Sequence, residues 1–410
     1  MKIRSITYFC DPGWPLRREL LEKAGAFISE ARPAYHAAGF IVQTARLATS
    51  PFPVVLADRI QSEIVPFSRE LERSAHEIGY DYVSIGPAEP AFAESYAVIP
   101  EVLRDTKTVF TAGMIASRRD GISLQAVRAC ASVVKRCSTL SPDGFGNLRF
   151  AALANVPPGA PFFPAGYHDG GAPSFALATE AADLAVSAVS NSNSLKEARD
   201  QLIESVERAA DQLGSISENL AGRFGLNFGG IDFSLAPFPN RETSIGGALE
   251  RLGVRKVGMP GSLAAAAFIT DAMDRASYPR AGFNGLFLPV LEDTALAERN
   301  AEGLLDINDL LLYSAVCGTG LDTLPLPGDV SIEQLSAILL DLAALALRLD
   351  KPLTARLLPI PGKKAGEPTN FDFAYFSNSR ILPVKGEPVT GLLAGDGNFP
   401  INQRRPSNPE

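Results

Sequence analysis

Residues 322–360, DTLPLPGDVSIEQLSAILLDLAALALRLDKPLTARLLPI, carry the clearest fold signal in the chain. The runs Asp322–Leu326 and Thr354–Ile360 are short and mostly apolar, which predicts two buried strands. Between them, Ser331 and Gln334 have the spacing of a helix-capping box, and apolar residues then recur every three or four positions. The order strand, helix, strand is typical of an α/β protein.

The same alternation runs through almost the whole chain. Most of the strand-like segments are apolar on both faces, which favours a largely parallel sheet covered by helices. Helices are predicted at Leu16–Ala31, ending before Pro33, and at Leu195–Arg223. About ten segments read as strands: Ile3–Phe9, Phe40–Leu47, Asp81–Ile85, Thr108–Ala112, Leu148–Ala154, Asn227–Leu235, Lys256–Met259, Gly285–Val290, Asp322–Leu326 and Thr354–Ile360.

Length and composition bound the architecture and the partners. A single α/β barrel can reach 410 residues, and no linker interrupts the pattern, so residues 1–400 are expected to form one domain. Residues 401–410 read as a polar tail. The net charge of −8 disfavours nucleic-acid binding.

Cysteine usage and hydropathy indicate the compartment. None of the four cysteines has metal-ligand spacing, and Cys130 and Cys137 lie two helical turns apart, too far for a disulfide. The chain shows neither a signal peptide after Met1 nor an apolar run long enough for a membrane span. We therefore expect a cytoplasmic protein with no membrane partner.

The most unusual segment is NVPPGAPFFPAGYHDGGAP, residues 155–173, which follows a predicted strand. Glycine-rich backbone at a strand end lets a ligand approach closely. His168 lies in this segment and could act as a general base or a metal ligand. The alternative is a loop histidine that bonds a carbonyl group.

Two further segments place carboxylates at strand ends. Asp232, with Ser234 on the same face, interrupts an apolar strand, which indicates either a functional carboxylate or a cap for the following turn. Glu292 and Asp293 end another strand, and they suit metal binding, acid/base chemistry or the first turn of the next helix. Cys317 could be a nucleophile, but no basic residue lies beside it to lower its pKa, which favours a buried structural thiol.

Two arginines stand within predicted strands, Arg46 in QTARLA and Arg356 in TARLLPIPGKK. An arginine among apolar neighbours usually pairs with a buried carboxylate or an anionic ligand. Lys363 and Lys364 add local positive charge to an acidic chain. This pattern favours a carboxylate or phosphate substrate.

Six segments, taken together, resemble one family: ALANVPPGAPFFPAGYHDGG, IDFSLAPFPN, PGSLAAAAF, GLFLPVLEDTALAE, VCGTGLDTLPLPGD and ARLLPIPGKKAGE. Their order resembles the uncharacterised protein family 0210, also described as domain of unknown function 711. The resemblance extends from about Asp81 to Lys385. The candidate residues that fall on its motifs are Asn155, His168, Asp232, Ser234, Glu292, Asp293, Asp322 and Arg356.

The resemblance also implies a fold. Members look like the ten-stranded α/β barrel of pyruvate formate-lyase and anaerobic ribonucleotide reductase, with the helices outside. The radical chemistry of those enzymes is not implied, because residues 386–400 lack the sequence pattern of a glycyl-radical site.

The leading functional hypothesis is a non-radical enzyme that acts on a small anionic metabolite in the barrel mouth, by acid/base or metal-assisted chemistry. The alternative is a small-molecule-binding or regulatory protein without turnover. The sequence names no cofactor and leaves homo-oligomerisation open. The predicted roles are catalytic for His168, Asp232 and Asp322, substrate-binding for Arg46, Asn155, Ser234 and Arg356, and metal-binding for Asp232, Glu292 and Asp293.

Overall fold

The computed structural model, which describes residues 1–403, is a mixed α/β fold around one large sheet. Its strands are β1 (Lys2–Phe9), β2 (Val42–Ala48), β3 (Tyr82–Ala88), β4 (Val109–Ser117), β5 (Gly121–Ser123), β6 (Phe150–Ala154), β7 (Ser174–Glu180), β8 (Asn227–Asp232), β9 (Gly320–Pro327), β10 (Leu353–Ile360) and β11 (Asn398–Phe399).

Helices connect these strands and pack on the outside of the sheet. They are α1 (Arg18–Ala37), α2 (Phe52–Leu56), α3 (Ile60–Glu77), α4 (Ile99–Asp105), α5 (Leu124–Cys137), α6 (Ala182–Ser190), α7 (Leu195–Phe224), α8 (Ile245–Arg251), α9 (Ser262–Arg275), α10 (Thr294–Ala301), α11 (Ile307–Ser314) and α12 (Ile332–Leu349).

The sheet has the strand order β8-β7-β1-β2-β3-β4-β6-β10-β9, with β5 and β11 attached beside β4. The five central strands are mutually parallel. The outer pairs β7–β8 and β10–β9 are each parallel internally, but they join the centre through antiparallel contacts at β1–β7 and β6–β10. The carboxyl ends of the central strands therefore lie at one end of the sheet, and the carboxyl ends of the outer strands lie at the opposite end.

One segment runs between the two edge strands, β8 and β9. The amides of Ile231 and Leu235 donate to the carbonyls of Pro279 and Gly285, at 2.8 and 2.9 Å. Farther along the segment, the carbonyl of Leu286 accepts from the amide of Gly318 at 3.1 Å. Within residues 1–403 these contacts do not form a regular ladder, so the sheet is not closed as the predicted ten-stranded barrel requires.

The predicted strand Gly285–Val290 accordingly has no strand assignment. The backbone of this segment forms hydrogen bonds at both edges of the sheet. Pro289 has no amide hydrogen, however, and Asn284 has a φ of +48°, so a continuous ladder cannot form. The predicted strand Lys256–Met259 is wrong: the segment is a turn, in which Gly258 has a φ of +100°.

The remaining eight predicted strands are observed, within a few residues, as β1, β2, β3, β4, β6, β8, β9 and β10. Strand β7, SFALATE, was not predicted, because its serine, alanines and glutamate have low strand propensity. Helix α1 continues past Pro33, contrary to the prediction, and it buries Tyr35, whose hydroxyl lies 2.7 Å from that of Ser217. Of the predicted tail, residues 404–410 lie outside the described part of the chain.

The loop between β6 and β7, residues 155–173, inserts against the inner face of the sheet. Its Pro161 carbonyl accepts hydrogen bonds from the buried hydroxyls of Ser5 and Thr7 on β1, at 3.2 and 2.8 Å. Small inward side chains on the strands leave room for the loop, and its aromatic residues pack among them. The small residues are Ala48, Ala112, Ala151, Ala176 and Ala178.

The close approach of Gly285 and Gly318 gives a test of the contact beside β9. A methyl group on Gly318 would lie 2.8 Å from the Cα atom of Gly285, and its nearest neighbours would all be backbone atoms of Gly285. We expect Gly318→Ala to lower the free energy of unfolding by about 1–3 kcal/mol. Gly214→Ala in α7 is the contrasting variant: nothing lies within 4 Å of the added methyl group, and the higher helix propensity of alanine should raise the stability by about 1 kcal/mol. Urea denaturation measures the stability of both variants. A Gly318→Ala protein as stable as wild type would contradict the close contact.

Candidate functional site

A cavity of about 110 Å³ lies on the inner side of the sheet, bounded also by the inserted loop and by residues after β10. One part of its wall is charged and another is aromatic. The charged side chains are Arg4, Arg46, Glu292, Asp322 and Arg356. The aromatic ones are Tyr82, Phe110, Phe162, Phe163, Phe283, Phe287, Phe373 and Tyr375.

The charged wall is a buried ion-pair network centred on Arg356. Its guanidinium binds Asp322 through two hydrogen bonds, Nε–Oδ1 at 2.6 Å and Nη2–Oδ2 at 2.9 Å. The same Nη2 donates to Glu292 Oε1 at 2.8 Å, and Arg4 reaches the other oxygen of Glu292 at 3.4 Å. Glu292 therefore bridges two arginines, and Arg356 bridges two carboxylates.

Two irregularities in the sheet bring these groups together. Arg4 is an extra residue in β1 where the strand pairs with β7, so that Arg4 and Ser5 both lie on the inner side. In β9, an extra residue opposite β10 coincides with Thr323, whose φ is +47°. This bulge adjoins Asp322, which faces Arg356. Both bulges therefore orient side chains of the site.

Arg46 differs from the other arginines of the cavity in having no carboxylate partner among the described residues. Its Nε donates to Thr44 Oγ1 at 3.0 Å, and its guanidinium lies 5.2 Å from the ring centre of Phe163. Burial, reinforced by the charge of Arg4, lowers the pKa of Arg46 to about 9. The group stays charged at neutral pH and lines the cavity with its positive charge unpaired.

The protonation equilibrium of Glu292 is shifted within this network. Burial raises the pKa of Glu292, and the neighbouring Asp322 raises it further. Arg356 and Arg4 oppose this shift without reversing it. A carboxyl group with a raised pKa, beside a cavity, is suited to exchange a proton with a ligand.

His168 lies at the other end of the central strands. Its amide donates to the carbonyl of Thr49, just beyond the carboxyl end of β2. The cavity instead begins near the amino ends, at Tyr82, the first residue of β3. The ring of His168 is buried and bonds the carbonyl of Gly171 at 3.1 Å. His168 therefore does not contact the charged network.

Asp232 and Ser234 form a separate hydrogen-bonded group. The fully buried carboxylate of Asp232 accepts from the Ser234 hydroxyl at 2.6 Å and from the amides of Phe283 and Asn284 at 2.7 and 3.0 Å. Burial raises the pKa of Asp232, while these hydrogen bonds lower it. The carboxylate fixes the turn at residues 283–284 and does not line the cavity.

Asp293 and Asn155 also lie outside the cavity wall. Asp293 accepts from the amide of Leu296 at the start of α10, and from the hydroxyl of Ser244 and the amide of Gly246 at the start of α8. One carboxylate thus caps two helices. Asn155 donates to Asp350 at 3.4 Å.

The structure therefore brings together four predicted residues, Arg46, Glu292, Asp322 and Arg356. Arg4 was not predicted as a site residue, because strand alternation places it on the outer face and nothing in the sequence signals the bulge. Tyr375, whose ring lies 4.7 Å from the Arg4 guanidinium, was also missed. Within residues 1–403, no group of three or more His, Cys, Asp and Glu side chains is arranged to hold a metal ion.

The fold and this cavity define an α/β protein with a partly aromatic, positively charged pocket inside a mixed sheet. The family model described as Uncharacterised ACR (DUF711) matches residues 1–378, and the chain belongs to that family. The family predicted from the motifs is confirmed, and the match extends to residue 1, beyond the motif region that begins at Asp81.

Curated relatives are similar in sequence to this chain over most of their length. A UPF0210 protein of Syntrophobacter fumaroxidans is 31% identical over 384 residues, covering 87% of this chain and 82% of the relative. A UPF0210 protein of Pyrobaculum arsenaticum is 35% identical over 356 residues, covering 80% of this chain and 76% of the relative. One of Oenococcus oeni is 28% identical over 410 residues, covering 94% and 89%.

The raised pKa of Glu292 predicts a pH-dependent difference in stability. A raised pKa means that the folded protein holds this proton more tightly than the unfolded chain, so the stability it contributes is present at low pH and lost as pH rises through the raised pKa. Glutamine stays neutral. We expect the stability of Glu292→Gln relative to wild type to increase as pH rises from about 4 to about 8.

Urea denaturation across this pH range measures the difference, with Glu218→Gln at an exposed position of α7 as the control for the loss of one carboxylate. If the stability of Glu292→Gln relative to wild type instead falls as pH rises, the folded protein favours the ionised carboxylate.

A second test separates a structural from a catalytic role for Asp232. Asp232→Ala leaves the amides of Ser234, Phe283 and Asn284 without their acceptor, so we expect a loss of roughly 2–5 kcal/mol in the free energy of unfolding. Thermal and chemical denaturation give the value. Wild-type stability combined with lost ligand turnover would instead assign Asp232 to catalysis.

Proposed function

We propose that the chain binds a small anionic metabolite in the cavity beside Arg46. The observation that carries this proposal is the buried guanidinium of Arg46, which has no carboxylate partner among residues 1–403 and lines an open volume. A buried, unpaired charge is costly, and an anionic ligand that pairs with it recovers much of that cost. Arg4 and Arg356 add to the positive potential at the same wall.

We further propose that the bound metabolite is transformed by non-radical acid/base chemistry. Glu292 is the proton-exchanging group, because burial and the neighbouring Asp322 raise its pKa above the ordinary value beside the cavity. Arg356 holds Glu292 in position by donating a hydrogen bond to it, and Asp322 fixes the guanidinium of Arg356. Catalytic roles for His168 and Asp232, and ligand contacts by Asn155 and Ser234, stay predictions.

The second candidate function is a ligand-binding or regulatory protein without turnover. It is favoured by the engagement of both cavity carboxylates with Arg356 and by the location of His168 at the other end of the strands. Turnover separates the two functions: an enzyme converts a captured anion, and the conversion stops in Glu292→Gln, whereas a binding protein returns the anion unchanged.

Architecture and location complete the proposal. The hydrogen bonds of residues 279–291 to both β8 and β9 support a barrel-like enclosure of the cavity, similar to the pyruvate formate-lyase barrel, and the single sheet supports one domain over residues 1–400. The four cysteines are buried and reduced, which supports a cytoplasmic location. No helix within the described residues is long and apolar enough to cross a membrane.

Replacement of Arg46 tests the proposed site. Arg46→Met keeps a long side chain but removes the unpaired charge, so we expect anion affinity to fall by roughly 100-fold, with stability unchanged or increased. Ligand-observed NMR against a panel of small carboxylates, phosphates and sulfates identifies binders, and calorimetry measures the loss. Arg69→Met, at an exposed ion pair with Asp105, is the control. Anion binding that survives in Arg46→Met would contradict the proposal.

A further inference from the structure

The cavity is lined by one unpaired charge and by a separate cluster of aromatic rings. Arg46 carries the unpaired guanidinium and lies over the ring of Phe163. Phe162, Phe283 and Phe287 belong to a different apolar cluster, in which the ring centres of Phe162 and Phe287 lie 4.6 Å apart and those of Phe283 and Phe287 lie 6.2 Å apart. A ligand that fills this volume therefore needs one anionic group and one apolar body.

The anionic group is defined by what Arg46 offers. Because Nε is held by Thr44, the two Nη groups are the donors left for a ligand. Two parallel N–H donors match two oxygens of either a carboxylate or a phosphate. The backbone amides of this strand pair with the strands on either side, so they do not form a cradle of the kind that binds phosphate.

The local charge limits the ligand to one negative charge. Three arginines and two carboxylates, Glu292 and Asp322, line the cavity, which leaves one positive charge without a partner. A dianion would add uncompensated repulsion with both carboxylates in a site of low dielectric. A monoanion balances the wall.

The volume limits the apolar body. A dry cavity of about 150 Å³ holds a benzene ring in another protein, so a cavity of about 110 Å³ accommodates a body of about four carbons. Phe162, Phe283 and Phe287 would surround this body and exclude water from it. Acetate carries a single methyl group and so offers little apolar surface to these rings.

We infer that the cavity binds a small monocarboxylate whose compact apolar body packs against Phe162, Phe283 and Phe287 while its carboxylate pairs with Arg46. This inference rests on the proposed function, which requires only an anion. It adds the class of ligand: a short branched aliphatic acid, in place of a phosphate ester or a dicarboxylate.

Calorimetric titration of the wild-type full-length chain with five probes tests the inference. The probes are isovalerate, benzoate, acetate, inorganic phosphate and isovaleramide, the neutral analogue of isovalerate. We expect isovalerate to bind at least about tenfold more tightly than acetate, because each buried methylene adds to affinity. Benzoate should bind more weakly than isovalerate, because its ring exceeds the cavity volume. Isovaleramide should bind at least about tenfold more weakly than isovalerate, because it lacks the charge.

Two variants assign the ends of the ligand. Phe287→Ala should weaken isovalerate binding and leave acetate binding nearly unchanged, and Arg46→Met should weaken both. Tighter binding of phosphate than of every carboxylate would overturn the inference and leave the anion proposal standing. Equal affinity for acetate and isovalerate would also overturn it. Absence of binding by all four anions would overturn both.

Discussion

The fold depends on the hydrogen bonds that Ser5 and Thr7 donate to the carbonyl of Pro161. Both hydroxyls lie inside a strand that is otherwise buried in apolar surroundings, and each would be costly without an acceptor. The inserted loop supplies that acceptor, and the strands satisfy a loop carbonyl that water cannot reach. The small inward side chains of the neighbouring strands follow from the same arrangement, since larger ones would exclude the loop. The interior of the sheet is thus filled by the protein's own backbone and aromatic side chains, apart from the cavity.

The cavity owes its electrostatics to an incomplete balance of buried charge. Arg356 is neutralised by Asp322 and Glu292 through short, well-directed hydrogen bonds, the geometry in which a buried ion pair can offset its desolvation. Arg46 receives only a hydroxyl and aromatic faces. A purely structural network would favour a partner for that charge. Burial and the neighbouring Asp322 raise the pKa of Glu292, while the two arginines oppose the shift, so a carboxyl group with a shifted protonation equilibrium lies beside the proposed anion site.

Much of the fold follows from the sequence, whereas the site follows from it only in part. Eight strands were predicted because their apolar composition and flanking turn residues act locally, and α12 begins at the capping box formed by Ser331 and Gln334. The strand arginines Arg46 and Arg356 were identified because an unpaired charge in an apolar run needs a partner. The contribution of Arg4 depends on a bulge, which is set by pairing with β7 some 170 residues away and leaves no local trace. A single barrel mouth lined by all the candidate residues is not observed, because the antiparallel joints at β1–β7 and β6–β10 reverse the outer strands relative to the central ones. That reversal separates His168 from Arg356.

The residues that line the cavity are far apart in the sequence, and this separation has a consequence for biosynthesis. Its residues begin at Arg4 and end at Tyr375, so the pocket cannot exist until nearly the whole polypeptide has left the ribosome. The central strands β1–β4 can assemble with their helices during translation, since each pairs with a strand already made. Arg46, in contrast, is synthesised early and stays hydrated until the inserted loop and the segment after β10 cover it. Nascent or truncated chains would therefore expose the charge without retaining a ligand, and the appearance of binding would report completion of the native structure.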